Sequence, residues 1–167
     1  MSHHGVPSRR TFLRGALLAS AGLVGSGGVL ERARLLAGQV GDPDPEVPNE
    51  EVARILREIT GGKPIQRGQL TLDMPIAAED GRIVPVIIES DLPMSPERYV
   101  KAIHLVVDHN PDAHLAAFYL TPAIGSVSIS TRIKMKRSTW VRALAQTSDG
   151  EIWGAYTKVA VTLNGCG

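Results

Sequence analysis

From Leu70 onward, apolar and polar positions alternate with a period of two, whereas over residues 49–60 the apolar positions recur at helical spacing. Val127, Ile129, Thr131, Ile133 and Met135 share one face of such an alternating stretch, and Ser128, Ser130, Arg132 and Lys134 share the other. That is the signature of a strand with one dry face. The pattern predicts strands over 70–76, 83–90, 99–107, 115–120, 127–135, 139–146 and 152–163. Glu79-Asp80-Gly81, Asp108-His109-Asn110-Pro111-Asp112 and Ser148-Asp149-Gly150 supply turn chemistry between them. Pro85 removes a ladder donor, so its stretch is read as an edge strand or a bulge. Before the strands, Asn49 can cap a short helix that buries Val52, Ile55, Leu56 and Ile59 and stops at Gly61-Gly62. Seven short strands with frequent turns and no alternating helices predict an all-β chain, an immunoglobulin-like antiparallel β-sandwich with a short N-terminal helix. A small closed barrel and a differently wound sandwich use the same elements.

The first forty residues follow neither period. Arg9 and Arg10 form a twin-arginine pair, followed from Gly15 to Leu30 by a weakly apolar, small-residue run. This run is too short and glycine-rich for a spanning helix of about 20 apolar residues and reads as a leader for export of a folded protein, with an uncleaved anchor or an amphipathic start as the alternative. The expected organisation is a signal segment and leader over 1–40, a linker over 41–48 rich in proline and acid, a sandwich over 49–163 and a tail over 164–167. Cleavage is placed between residues 34 and 42, which puts the mature chain in a bacterial periplasm with no membrane span of its own. Removing the leader changes the charge: the whole chain carries +1, but residues 41–167 hold 13 lysines and arginines against 16 acids, about −3. A nucleic-acid footprint is therefore not expected. Lys134, Lys136 and Arg137, with Arg132 and Arg142 nearby, read either as a solvated strand face and turn or as a docking patch for an acidic partner or an anionic substrate.

Conventional catalytic chemistry is thinly supplied. His104, His109 and His114 stand five residues apart, which matches neither one strand face nor one helix face, so no local convergence is expected. Asp73, Glu79, Asp80, Glu89 and Asp91 border strands and turns without forming an acid–base pair, and no serine sits in a Gly-x-Ser-x-Gly elbow. Trp140, Trp153 and Tyr156 are read as core residues rather than interface residues. No catalytic, cofactor-binding or metal-ligating residue is assigned.

The one chemically distinct group is the single cysteine, Cys166, flanked by Gly165 and Gly167. Glycine on both sides gives a terminal thiol the freedom to reach other proteins' active sites, and no intrachain disulfide partner competes for it. A thiolate can couple to an outer sulfur atom, hold the product and release it to another nucleophile or oxidant. No basic residue lies within seven positions before Cys166, so partner sites are expected to supply its activation. Two other readings use the same thiol: an exported protein-binding or structural sandwich subunit that forms an intermolecular disulfide, and a thiol oxidoreductase acting alone. The second lacks a resolving cysteine.

The twin-arginine leader, Ile103-His104-Leu105-Val106-Val107-Asp108-His109-Asn110-Pro111-Asp112, the stretches 118–125 and 143–150, and the ending Leu163-Asn164-Gly165-Cys166-Gly167 together resemble the SoxY family of thiosulfate-oxidation carrier subunits. The resemblance spans residues 8–167. It implies a periplasmic immunoglobulin-like domain paired with a smaller SoxZ-like sandwich subunit, and a sulfur carrier rather than an enzyme, with no cofactor of its own. By resemblance, Cys166 is the covalent attachment site, with Gly165 and Gly167 giving access and motion. A haem-containing SoxXA-like partner conjugates thiosulfate to it, a SoxB-like hydrolase removes sulfate, and a sulfane dehydrogenase acts in organisms that have one. The family ending is usually Gly-Gly-Cys-Gly-Gly. Asn164 departs from it at the base of the arm, and Gly167 stands where two glycines usually follow.

Overall fold

The structure is a computed structural model that describes residues 44–163. The leader assigned to 1–40, residues 41–43 of the linker and the tail 164–167 lie outside the described residues. Among the described residues, one helix and nine strands follow in order: α1 (Glu50–Thr60), β1 (Ile65–Gln66), β2 (Leu70–Asp73), β3 (Ala77–Asp80), β4 (Val84–Ser90), β5 (Val100–Val107), β6 (His114–Tyr119), β7 (Val127–Ile133), β8 (Thr139–Thr147) and β9 (Ile152–Leu163). A single 3-10 turn, Pro122–Ile124, lies between β6 and β7.

The strands form two sheets packed face to face. The larger has the order β1-β9-β8-β5-β6, with β3 also paired to β9, and the smaller has the order β2-β4-β7. Alternation builds the space between them: Val84, Val86 and Ile88 of β4 point inward against Ile103, Leu105, Val107, Val141, Ala143 and Ala145 of the larger sheet. Pro85, Ile87 and Glu89 point outward. Thr157 Oγ1 donates to Leu72 O at 3.0 Å and ties β9 to β2 across the layers.

The outer face of the larger sheet is dry as well. Asn49 Oδ1 accepts from Val52 N at 2.9 Å, Glu50 and Glu51 occupy the first turn, and Gly61 closes the helix at φ +61° while donating to Arg57 O. Each of these features favours helix at this place. The helix lays Val52, Ile55 and Ile59 over Val106, Ala113 and Leu144. For this reason β5 and β8 are buried on both faces whereas β7 alternates.

The sandwich and the capped helix agree with the sequence pattern, and the structure corrects it in three places. Two short strands, β1 and β3, were not expected, and both pair with β9 in parallel. A two-residue strand carries no period, and Ala77-Ala78-Glu79-Asp80 has no β-branched residue, so neither shows in the alternation. Second, β4 is the central strand of its sheet rather than an edge. Pro85 is tolerated because pairing with β2 ends at Ile87, so only β7 flanks the strand at the proline. Third, Trp140, Trp153 and Tyr156 are each half-buried rather than core. Trp153 packs on the sandwich core, and Tyr156 packs under the helix.

Candidate functional site

Cys166, Gly165 and Gly167 lie outside the described residues, and the site is therefore built from the structure that leads to them. β9 is the longest strand, twelve residues. It runs beside β8 along one edge, while its other edge meets β1 near its start and β3 near its end, where Asp80 is in register with Leu163. Its last described residue is thus held at a fixed corner of the sandwich. Three residues beyond it is Cys166, whose Cα lies within about 11 Å of the Leu163 Cα even for a fully extended chain.

Two turns crowd that corner. The β3–β4 turn carries Arg82, whose guanidinium clasps the Asp80 carboxylate with Nη2 to Oδ2 at 2.7 Å. Hydrogen bonding to Arg82 holds the Asp80 carboxyl below the usual carboxylate range. The β7–β8 loop, residues 134–138, is pinned on both sides. Met135 N donates to Gly81 O at 2.7 Å, and Ser138 Oγ accepts from Val161 N at 2.8 Å. Asn110 bridges the same loop, donating from Nδ2 to Lys134 O at 2.6 Å and accepting from Lys136 N at 3.0 Å. Lys134, Lys136 and Arg137 are exposed along this loop, as the solvated reading expected.

Arg142 does not belong with them. It is buried, and its guanidinium forks onto Asp108, Nε to Oδ1 at 2.6 Å and Nη2 to Oδ2 at 2.8 Å. Its remaining donors reach Pro45 O and Glu46 O, so the segment before the helix is fastened to the sheet. Asp108 lies in the turn expected for it and is the buried partner of this pair. A buried charge pair whose cation also donates to two backbone carbonyls is a structural device, since loss of either partner strands the other without water. Tyr156 lies beside it, with Arg67 stacked 4.3 Å from the ring centroid, and burial pushes the phenol up to about 12.

The histidines correct the expectation of no convergence. His104 Nδ1 and His114 Nε2 are 3.1 Å apart, with ring centroids at 5.2 Å. The cause is a bulge between Leu105 and Val106: His104 faces Ala117 on one side of it, and Val106 faces His114 on the other. The shift of one residue carries His114 onto the same sheet face as His104. Burial first, and the neighbouring His114 second, hold the His104 pKa below 6.5, with the nearby Gln146 side chain acting in the opposite direction. His114 is exposed, and His109 belongs to the following turn and joins neither. Nothing in the sequence spacing announces a bulge, so this pair was not legible there. Among the described residues, no three histidine, cysteine or acidic side chains gather as a metal-holding group. Among these residues, too, no helix is long and apolar enough to cross a membrane.

Comparison with known proteins adds three findings. A family model described as "Sulfur oxidation protein SoxY" matches residues 56–166, so the match runs from α1 to the cysteine itself. Among solved structures, the chain is similar to the sulfur carrier protein SoxY from Chlorobium limicola f thiosulfatophilum, with a TM-score of 0.57 and 23% identity, covering 68% of this chain and 98% of that one. It is also similar in fold to a superoxide reductase (neelaredoxin) from Ignicoccus hospitalis, with a TM-score of 0.51 and 15% identity over 62% of this chain and 91% of that one. No curated protein sequence matches the chain.

Proposed function

The chain belongs to the SoxY family of sulfur oxidation proteins, and on that premise we propose that it is a sulfur carrier whose Cys166 thiol holds thiosulfate-derived intermediates and presents them to partner enzymes. The observation that carries the proposal is the family match extending to residue 166, where the only cysteine of the chain stands between two glycines. The solved SoxY that it resembles in fold is itself named a sulfur carrier protein.

The chemistry divides between this chain and its partners. Coupling the Cys166 thiolate to the outer sulfur of thiosulfate forms a sulfur–sulfur bond and releases two electrons, which a haem-containing SoxXA-like partner accepts. Water then cleaves the bond to the terminal sulfonate group on a SoxB-like hydrolase, giving sulfate and leaving a persulfide on Cys166 with no change in electron count. Further oxidation of that sulfane falls to a sulfane dehydrogenase. The chain's own part is to offer one thiol on a short arm, with Gly165 and Gly167 leaving its backbone unhindered. It is a carrier rather than an enzyme.

Arg9 and Arg10 support export by the twin-arginine route, and the periplasm is the proposed compartment. A SoxZ-like sandwich subunit is the proposed permanent partner. Co-purification from periplasmic extract should return a heterodimer, and a stable monomer there would contradict the pairing. The central test is intact-mass analysis after incubation with thiosulfate and the cognate haem partner. An adduct confined to the C-terminal peptide, absent in Cys166→Ser, is expected. The same labelling in Cys166→Ser, or none in the unmodified sequence, would sink the carrier reading.

A further inference from the structure

Among the described residues, the charged side chains of the β7–β8 loop make no hydrogen bond that holds the fold. Between Met135, tied to Gly81, and Ser138, tied to Val161, the loop carries Lys136 and Arg137, with Lys134 just before. All three are exposed, and among the described residues none forms an ion pair. The loop is nevertheless held at four points: its backbone by Gly81 at Met135 and by both polar atoms of the Asn110 amide at Lys134 and Lys136, and its Ser138 hydroxyl by Val161 N. The effect of this anchoring is to keep positive charge near the last residues of β9. Arg82 stands on the adjoining turn with its charge taken by Asp80, and the remaining acid of β3, Glu79, is exposed.

What comes off that corner is the arm. Ser138 is bonded to Val161, two residues before Leu163, and the Cys166 Cα stays within about 11 Å of the Leu163 Cα. In the carrier reading, on which this inference rests, the sulfur on Cys166 ends in a sulfonate. We propose that Lys136 and Arg137, supported by Lys134, form a basic collar at the root of the arm that attracts anionic sulfur reagents to Cys166 and receives the sulfonate end of its adduct. Charge complementarity and the length of chain beyond Leu163 select this occupant. In water at low ionic strength, two positive charges act on a dianion over this distance, and physiological salt screens them strongly.

Because Cys166 is the only cysteine, thiol-reagent kinetics on the full, reduced chain report one site. Tetrathionate is the anionic probe. The Cys166 thiolate attacks one inner sulfur, the central sulfur–sulfur bond breaks and its electron pair leaves on thiosulfate; Cys166 keeps the thiosulfonate adduct, oxidised to the disulfide level by tetrathionate itself, so no further oxidant is needed. Neutral 4,4′-dithiodipyridine is the control. K136Q/R137Q should slow the tetrathionate reaction about three- to tenfold in ~10 mM salt and by no more than about twofold near 0.15 M, since the screening length falls from about 30 Å to about 8 Å. The dithiodipyridine rate should stay within about twofold, and K136R/R137K, which keeps the charge, should behave as the unmodified sequence. Unchanged tetrathionate rates in low salt, or equal slowing of both reagents, would overturn the collar. So would weakened hydrolase binding with tetrathionate kinetics intact, which would assign the loop to a protein partner. No partner protein enters the kinetic assay, so the carrier reading can fail while the collar stands, and the reverse.

Discussion

His104 shows how far a residue's chemistry depends on its neighbours. Its ring is buried beside His114, and both features disfavour the imidazolium. With a folded pKa below the 6.5 of the open chain, the unfolded state binds the proton more readily. The stability contributed by neutral His104 is therefore complete above 6.5 and lost as pH falls from there through the lower folded value. Urea midpoints measured between pH about 7 and about 5.5 should fall with acidification, and His104→Gln should flatten that slope. An equal slope in the variant would remove His104 from the account. Arg142 teaches the same lesson from the opposite direction. By type and by its neighbours in sequence it is a surface charge, and only the covering of its sheet face by α1 and residues 44–46 makes it an internal clamp.

At the scale of elements, α1 is the part most fully specified by local signals. Its cap, its acidic first turn and its apolar stripe all point to the same helix, and the stripe meets a sheet face otherwise open to water. Asn49→Ala removes the acceptor for Val52 N and should lower unfolding stability by about 1 kcal/mol, read from denaturant midpoints at unchanged slope. Stability unchanged by the substitution would mean that packing alone holds the first turn. The strands divide by environment. Those with one wet face, such as β4 and β7, were legible from alternation; β5 and β8 were expected as strands over 99–107 and 139–146, but their burial on both faces was not. The short parallel strands β1 and β3 exist because β9 offers them a free edge, a condition set by residues far along the chain.

For the whole molecule, fold and proposed chemistry are separable. The described core closes between the two sheets and under α1. If residues 164–167 serve only as the proposed carrier arm, a chain ending at Leu163 should keep its thermal midpoint within about 1 °C while losing all sulfur loading. A drop of several degrees would show that the tail contributes to the fold. By itself the sequence determined the features that arise from local periodicity and covalent identity: a capped helix, a run of strands with one dry face, and a single thiol between glycines at the end of the last strand. Tertiary structure alone decided which charges are internal, that two histidines meet across a bulge, and that a basic loop is pinned beside the end of β9. Each of these depends on register and on which face is covered, and a shift of one residue in strand pairing reverses the face a side chain occupies without changing a letter of the sequence.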